Sequence, residues 1–86
     1  MADYSVVFAR SASKELRSLD SKVALRILKR VEALSKNPRP PGVVKLEGAT
    51  DLWRIRAGEW RVVYRIADRE RIVDVIAVRH RREAYR

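Results

Sequence analysis

Tyr4 to Ala9 sets Tyr4, Val6 and Phe8 against Ser5, Val7 and Ala9, the two-residue alternation of a first strand. The period then lengthens. Ser11 is placed to cap a short helix, and Asp20 to cap a longer one. In the longer helix Val23, Ile27, Val31 and Leu34, with Ala24 and Leu28, recur at spacings of three and four, so one apolar stripe must lie on something flat. Asn37 and Pro38 end that helix. Arg39-Pro40-Pro41-Gly42 forms a stiff basic turn into Val43-Val44-Lys45-Leu46. Three further strands follow over Leu52 to Ala57, Trp60 to Ala67 and Ile72 to Arg79.

Gly58-Glu59 between the first two of these is a two-residue Gly-X hairpin signal. Such a loop fixes the register: Ala57 faces Trp60, Arg56 faces Arg61, Ile55 faces Val62 and Trp53 faces Tyr64. One face of the hairpin is then apolar, with Trp53, Ile55, Trp60, Val62 and Tyr64. The other carries Arg54, Arg56, Arg61, Val63 and Arg65, and Ile76 and Val78 of the next strand are expected beside them. The expected fold is α+β: an antiparallel sheet in the order βααβββ(β), two N-terminal helices on one face, and a short basic C-terminal tail.

Composition narrows what such a fold does. At 86 residues there is room for one domain over residues 1–86, and a chain of this size buries only about 60% of its unfolded surface, which favours a stabilising partner. Cysteine is absent, which removes disulfides, thiolate metal sites and a cysteine nucleophile. With a single His and no clustered carboxylates, no metal or other cofactor is expected. No signal-like or membrane-spanning apolar run occurs, so the expected compartment is the cytoplasm.

The net charge of +9, from 20 Lys and Arg against 11 Asp and Glu, points to a polyanionic partner. Arginine supplies 15 of the 20 cations and, from Arg54 onward, all ten of them. A guanidinium grips phosphate with a planar fork, where an ammonium offers a point charge. Facing Arg56 with Arg61 costs the hairpin a few tenths of a kcal/mol or more, so folding alone does not select the pair. Arg54 adds a third cation to this floor. Arg65 reads instead as a cross-strand ion pair with Asp74. The tail contributes His80, Arg81, Arg82 and Tyr85: a group that titrates near neutrality, two more cations and a ring for base stacking.

The runs Leu46-Glu47-Gly48, Leu52-Trp53-Arg54-Ile55-Arg56-Ala57-Gly58-Glu59-Trp60-Arg61-Val62-Val63-Tyr64 and His80-Arg81-Arg82-Glu83-Ala84-Tyr85-Arg86 resemble those of the RelE/ParE toxin superfamily, RelE-type mRNA interferases in particular. The resemblance implies a toxin of a type II toxin-antitoxin system, silenced by a cognate acidic, RelB-like antitoxin. Its substrate would be mRNA in the ribosomal A site, cleaved without metal by attack of a ribose 2′-OH on its own phosphate. Carried over by motif, Arg54 and Arg56 are the basic pair before the hairpin and Arg61 is the catalytic arginine after it. Arg81 or Arg82 is the tail arginine, and Tyr85 the stacking tyrosine. The pair before the hairpin is often lysine in this branch; arginine does not give up its proton, which leaves the general base open between His80 by pKa, Glu59 as a weaker choice, and a site in which positioning and charge stabilisation do most of the work. A ParE-like inhibitor of DNA gyrase is the alternative within the same superfamily.

Overall fold

The computed structural model describes residues 3–48 and 51–82. Strand β1 (Ser5–Phe8) leads through helices α1 (Arg10–Ser18) and α2 (Ser21–Ala33) to β2 (Val44–Lys45), β3 (Leu52–Ala57), β4 (Trp60–Ala67) and β5 (Ile72–His80). The strands form one five-stranded sheet in the order β1-β5-β4-β3-β2. The α+β architecture and the one-sided helical layer match the expectation, with α1 packed on β5 and α2 on β3 and β4. The sheet is mixed, because β1 runs parallel to β5 while every other pair is antiparallel. Alternation along β1 marks it as a strand but carries no information about its direction beside a strand 67 residues further along the chain.

The α2 stripe forms as its spacing requires. Asp20 caps the helix by accepting from the Lys22 N–H at 3.2 Å, and Ile27, Val31 and Leu34 are buried against Ile55, Val62, Tyr64, Ile66, Val73 and Val75. Each aliphatic side chain withdrawn from water in this way contributes about 1.5–3 kcal/mol. Tyr64 is fully buried, and its hydroxyl donates to the Pro38 carbonyl at 2.6 Å, tying the loop after α2 to the centre of the sheet.

Two local expectations change. Ser11 is not the cap of α1: Ala9 precedes the helix without a side-chain cap, and the Ser11 hydroxyl donates to the Ile76 carbonyl of β5 at 3.1 Å. That carbonyl belongs to a bulge. Tyr64 pairs with Val75 but Val63 pairs with Ala77, leaving Ile76 as the extra residue of β5. The bulge reverses the facing of everything beyond it, so Val78 lies in the core rather than on the open face.

Candidate active site

The β3–β4 hairpin has the register that its two-residue loop dictates, with Arg56 opposite Arg61 and Ala57 opposite Trp60. Gly58 takes φ +64°, a conformation that L side chains rarely adopt and that a tight hairpin needs at this position. Beyond the bulge, β5 continues the same cross-strand line: Arg61 pairs with Arg79. Arg56, Arg61 and Arg79 therefore stand in one row across β3, β4 and β5 on the face away from the helices. Arg79 is the member that sequence reasoning missed. Placing it requires both the β4–β5 register and the bulge at Ile76, and neither is marked by a turn signal as plain as Gly58-Glu59.

The tail folds back onto this row. The Arg81 N–H donates to the Glu59 carbonyl at 2.8 Å, extending the ladder past β5 and bringing Arg81 over the turn. Arg56, Gly58, Glu59, Arg61 and Arg81 line a hollow of about 100 Å³. Pockets for drug-sized ligands run to several hundred Å³, so this one suits a small anionic group such as a phosphodiester. Three guanidiniums around it repel one another, and an anion between them relieves that repulsion.

The predicted site residues divide by position. Arg56, Arg61 and Arg81 converge on the hollow. Arg54 lies two residues along β3 on the same face, half-buried, opposite Val63. Arg61 departs from the expected exposed floor: it is 4% exposed, so its guanidinium is held within the protein rather than spread on the surface. His80 sits on the other face, opposite Trp60, their rings in an edge contact 5.2 Å apart and 84° to one another. The Arg82 N–H donates to His80 Nδ1 at 3.3 Å. A neutral His80 therefore carries its proton on Nε2. Arg82 is exposed and does not line the hollow, and Tyr85 lies outside the described residues. Glu59, the second choice for a general base, is an exposed turn residue that lines the hollow, and its carbonyl accepts the Arg81 N–H.

The hairpin meets the helical layer at two points, only the first of them a hydrogen bond. Arg30 Nε donates to the Arg56 carbonyl at 3.0 Å, beyond the end of short β2, and the Arg26 side chain lies against Gly58. Arg65 is opposite Asp74 as expected, but the ion pair it makes is with Asp51, at 3.2 Å. At the far end of the sheet Arg39 grips Asp68 with two hydrogen bonds, 3.2 and 2.9 Å, while the Tyr4 hydroxyl donates to the same carboxylate at 2.6 Å. These bonds, Arg39 first, hold the Asp68 carboxyl down at about 2. Arg39 also stacks over Trp53, 5.0 Å from the ring centroid. Among the described residues no group of His, Asp or Glu is arranged to hold a metal ion, and no helix is long and apolar enough to cross a membrane.

Residues 6–85 match the family described as the ParE toxin of type II toxin-antitoxin systems, parDE. An Escherichia coli protein described as RelE-like toxin protein is 35% identical over 86 residues, spanning 95% of this chain and 90% of its own. Among solved structures, the archaeal RelE-RelB complex from Pyrococcus horikoshii superimposes with a TM-score of 0.81 at 30% identity, over 92% of this chain and 96% of that one. The intact Escherichia coli RelBE toxin-antitoxin complex gives 0.76 at 34% identity, over 87% and 93%.

Proposed function

We propose, for a chain that belongs to the RelE/ParE family of type II toxin-antitoxin toxins, an endoribonuclease that cleaves mRNA on the ribosome without a metal. The observation that carries this reading is the convergence of Arg56, Arg61 and Arg81 on one hollow, with Arg79 next in the cross-strand row. The ribose 2′-OH attacks the adjacent phosphorus as the bond to the 5′ oxygen breaks, leaving a 2′,3′-cyclic phosphate and a 5′-OH. Fixed guanidiniums meet the charge that builds on the phosphorane oxygens, and a preorganised donor of this kind contributes about 10²–10³ in rate. The Glu59 carboxylate, on the turn that lines the hollow, takes the proton of the 2′-OH, and the leaving oxygen recovers a proton from the solvent side. His80, turned toward Trp60, stays outside the chemistry. Arg54 and Arg82 bind the flanking backbone, and Tyr85 stacks on a base.

An acidic, RelB-like antitoxin is the proposed partner in the cytoplasm. The hollows that share Phe8 and Leu28, lined also by Val6, Leu16 and Ala24, offer its apolar side chains a seat, and its carboxylates meet the arginine row. The matched family's description favours one second reading, a ParE-like inhibitor of DNA gyrase. Purified protein incubated with programmed ribosomes, and in parallel with gyrase and supercoiled DNA, separates the two: cut mRNA supports the ribonuclease, trapped DNA breaks the inhibitor.

A further inference from the structure

Helix α2 has a second stripe that the core does not use. Lys22, Leu25, Arg26 and Lys29 are spaced i, i+3, i+4 and i+7, are all exposed, and line a shallow hollow of about 410 Å³ that contains no acidic residue. Leu25 stands 58% exposed among the three cations. The stripe abuts the candidate active site. A Cβ built on Gly58 would meet Arg26 Nη1 at 3.3 Å, and Gly58 itself lines the arginine hollow. One turn further along α2, Arg30 is bonded to the carbonyl of Arg56, another lining residue. The two cationic surfaces thus meet at the hairpin turn, and the helix fixes their relation.

We propose that Lys22, Arg26 and Lys29 extend the arginine hollow into a track that carries the backbone of a single-stranded RNA away from the scissile phosphate, with Leu25 giving a base an apolar surface. The inference rests on the ribonuclease reading for its choice of polyanion. The stripe is about 10 Å long at the rise of an α-helix, which matches a segment of extended strand rather than one phosphate. Its cations and exposed leucine suit a strand of phosphates and bases, and contact of Arg26 with Gly58 puts the stripe on the path of a strand held in the arginine hollow.

The test is binding of end-labelled, 2′-O-methylated RNA, which lacks the attacking hydroxyl, followed by anisotropy across a salt series. The triple variant Lys22→Gln, Arg26→Gln, Lys29→Gln is compared with wild type on a trinucleotide and on a dodecamer. Each single-strand phosphate contact contributes about 0.7 to the slope of log K against log salt, so the dodecamer slope should fall by about 2 while the trinucleotide is unaffected. An unchanged dodecamer slope overturns the track, as does an equal loss on the trinucleotide. Weakened binding of a polyglutamate peptide with RNA binding intact overturns it in favour of an acidic protein. A melting curve matching wild type shows that the variant is folded. Ribosome cleavage assays read the ribonuclease assignment separately, since binding to methylated RNA does not depend on it.

Discussion

Arg61 lies between Arg56 and Arg79 in a cross-strand row, and it is the buried one of the three. An arginine held inside such a row is fixed before substrate arrives, which is what charge stabilisation of a transition state requires. It also means that its removal is felt by the fold. Arg61→Ala should lower the cleavage rate by about 10²–10³ and lower the melting temperature as well. Arg61→Lys keeps a charge but not the fork, so it should recover stability more fully than rate. Thermal melts beside single-turnover cleavage check this, and a rate that follows stability in both variants contradicts it.

Arg79 gives the cleaner test, because it is exposed. Arg79→Ala should leave the melting temperature within the small range usual for surface changes and reduce cleavage by about tenfold or more. Full activity in the folded variant removes Arg79 from the site.

Glu59 and His80 make opposite predictions about the proton. Glu59→Gln should depress cleavage by a folded protein, whereas His80→Gln should leave the rate close to wild type. A folded His80→Gln protein that loses cleavage would return the proton transfer to the histidine.

Acid sensitivity should arise at the other end of the sheet. The Asp68 carboxyl is held at about 2 against an ordinary 3.8, chiefly by the Arg39 hydrogen bonds, and a depressed carboxylate contributes stability above its unfolded value. That contribution is present at neutral pH and is lost as pH falls from about 3.8 through about 2. Asp68→Asn should therefore lower the melting temperature at pH 7, with the gap to wild type closing in this window and narrowing in high salt, because the group is exposed. A gap that is independent of pH contradicts the assignment.

Burial pushes the Tyr64 hydroxyl up to about 12, and its proton is engaged by the Pro38 carbonyl. Tyr64→Phe leaves that buried carbonyl without this donor, at a cost of about 1–3 kcal/mol. For a domain of this size each kcal/mol is about 4–8 °C of melting temperature. A differential melt decides it, and a shift below a degree or two would show that the bond adds nothing.

Legibility in the sequence followed the range of the contact. Gly58-Glu59 set the whole β3–β4 register, and with it the facing of Arg56 and Arg61, because a two-residue loop leaves no freedom. The α2 stripe named the core residues Ile27, Val31 and Leu34, but Leu28, on the same spacing, lies at the edge of the packed face and is exposed. The parallel pairing of β1 with β5 did not show, since nothing local distinguishes a parallel edge from an antiparallel one. The Ile76 bulge hid in an unbroken apolar run, and it carried Val78 into the core and Arg79 into the arginine row. His80 was chosen for its pKa alone, and its place beside Trp60 depends on that same bulge.

The most direct test of the central claim is to map the ends of mRNA recovered from programmed ribosomes treated with wild-type protein and with Arg79→Ala. The account predicts cuts within the A-site codon that leave 2′,3′-cyclic phosphate and 5′-OH ends, that persist when metal-dependent nucleases are inhibited, and that are strongly reduced with the variant. Intact mRNA after treatment with folded wild-type protein, or 5′-phosphate ends at the cuts, would contradict it.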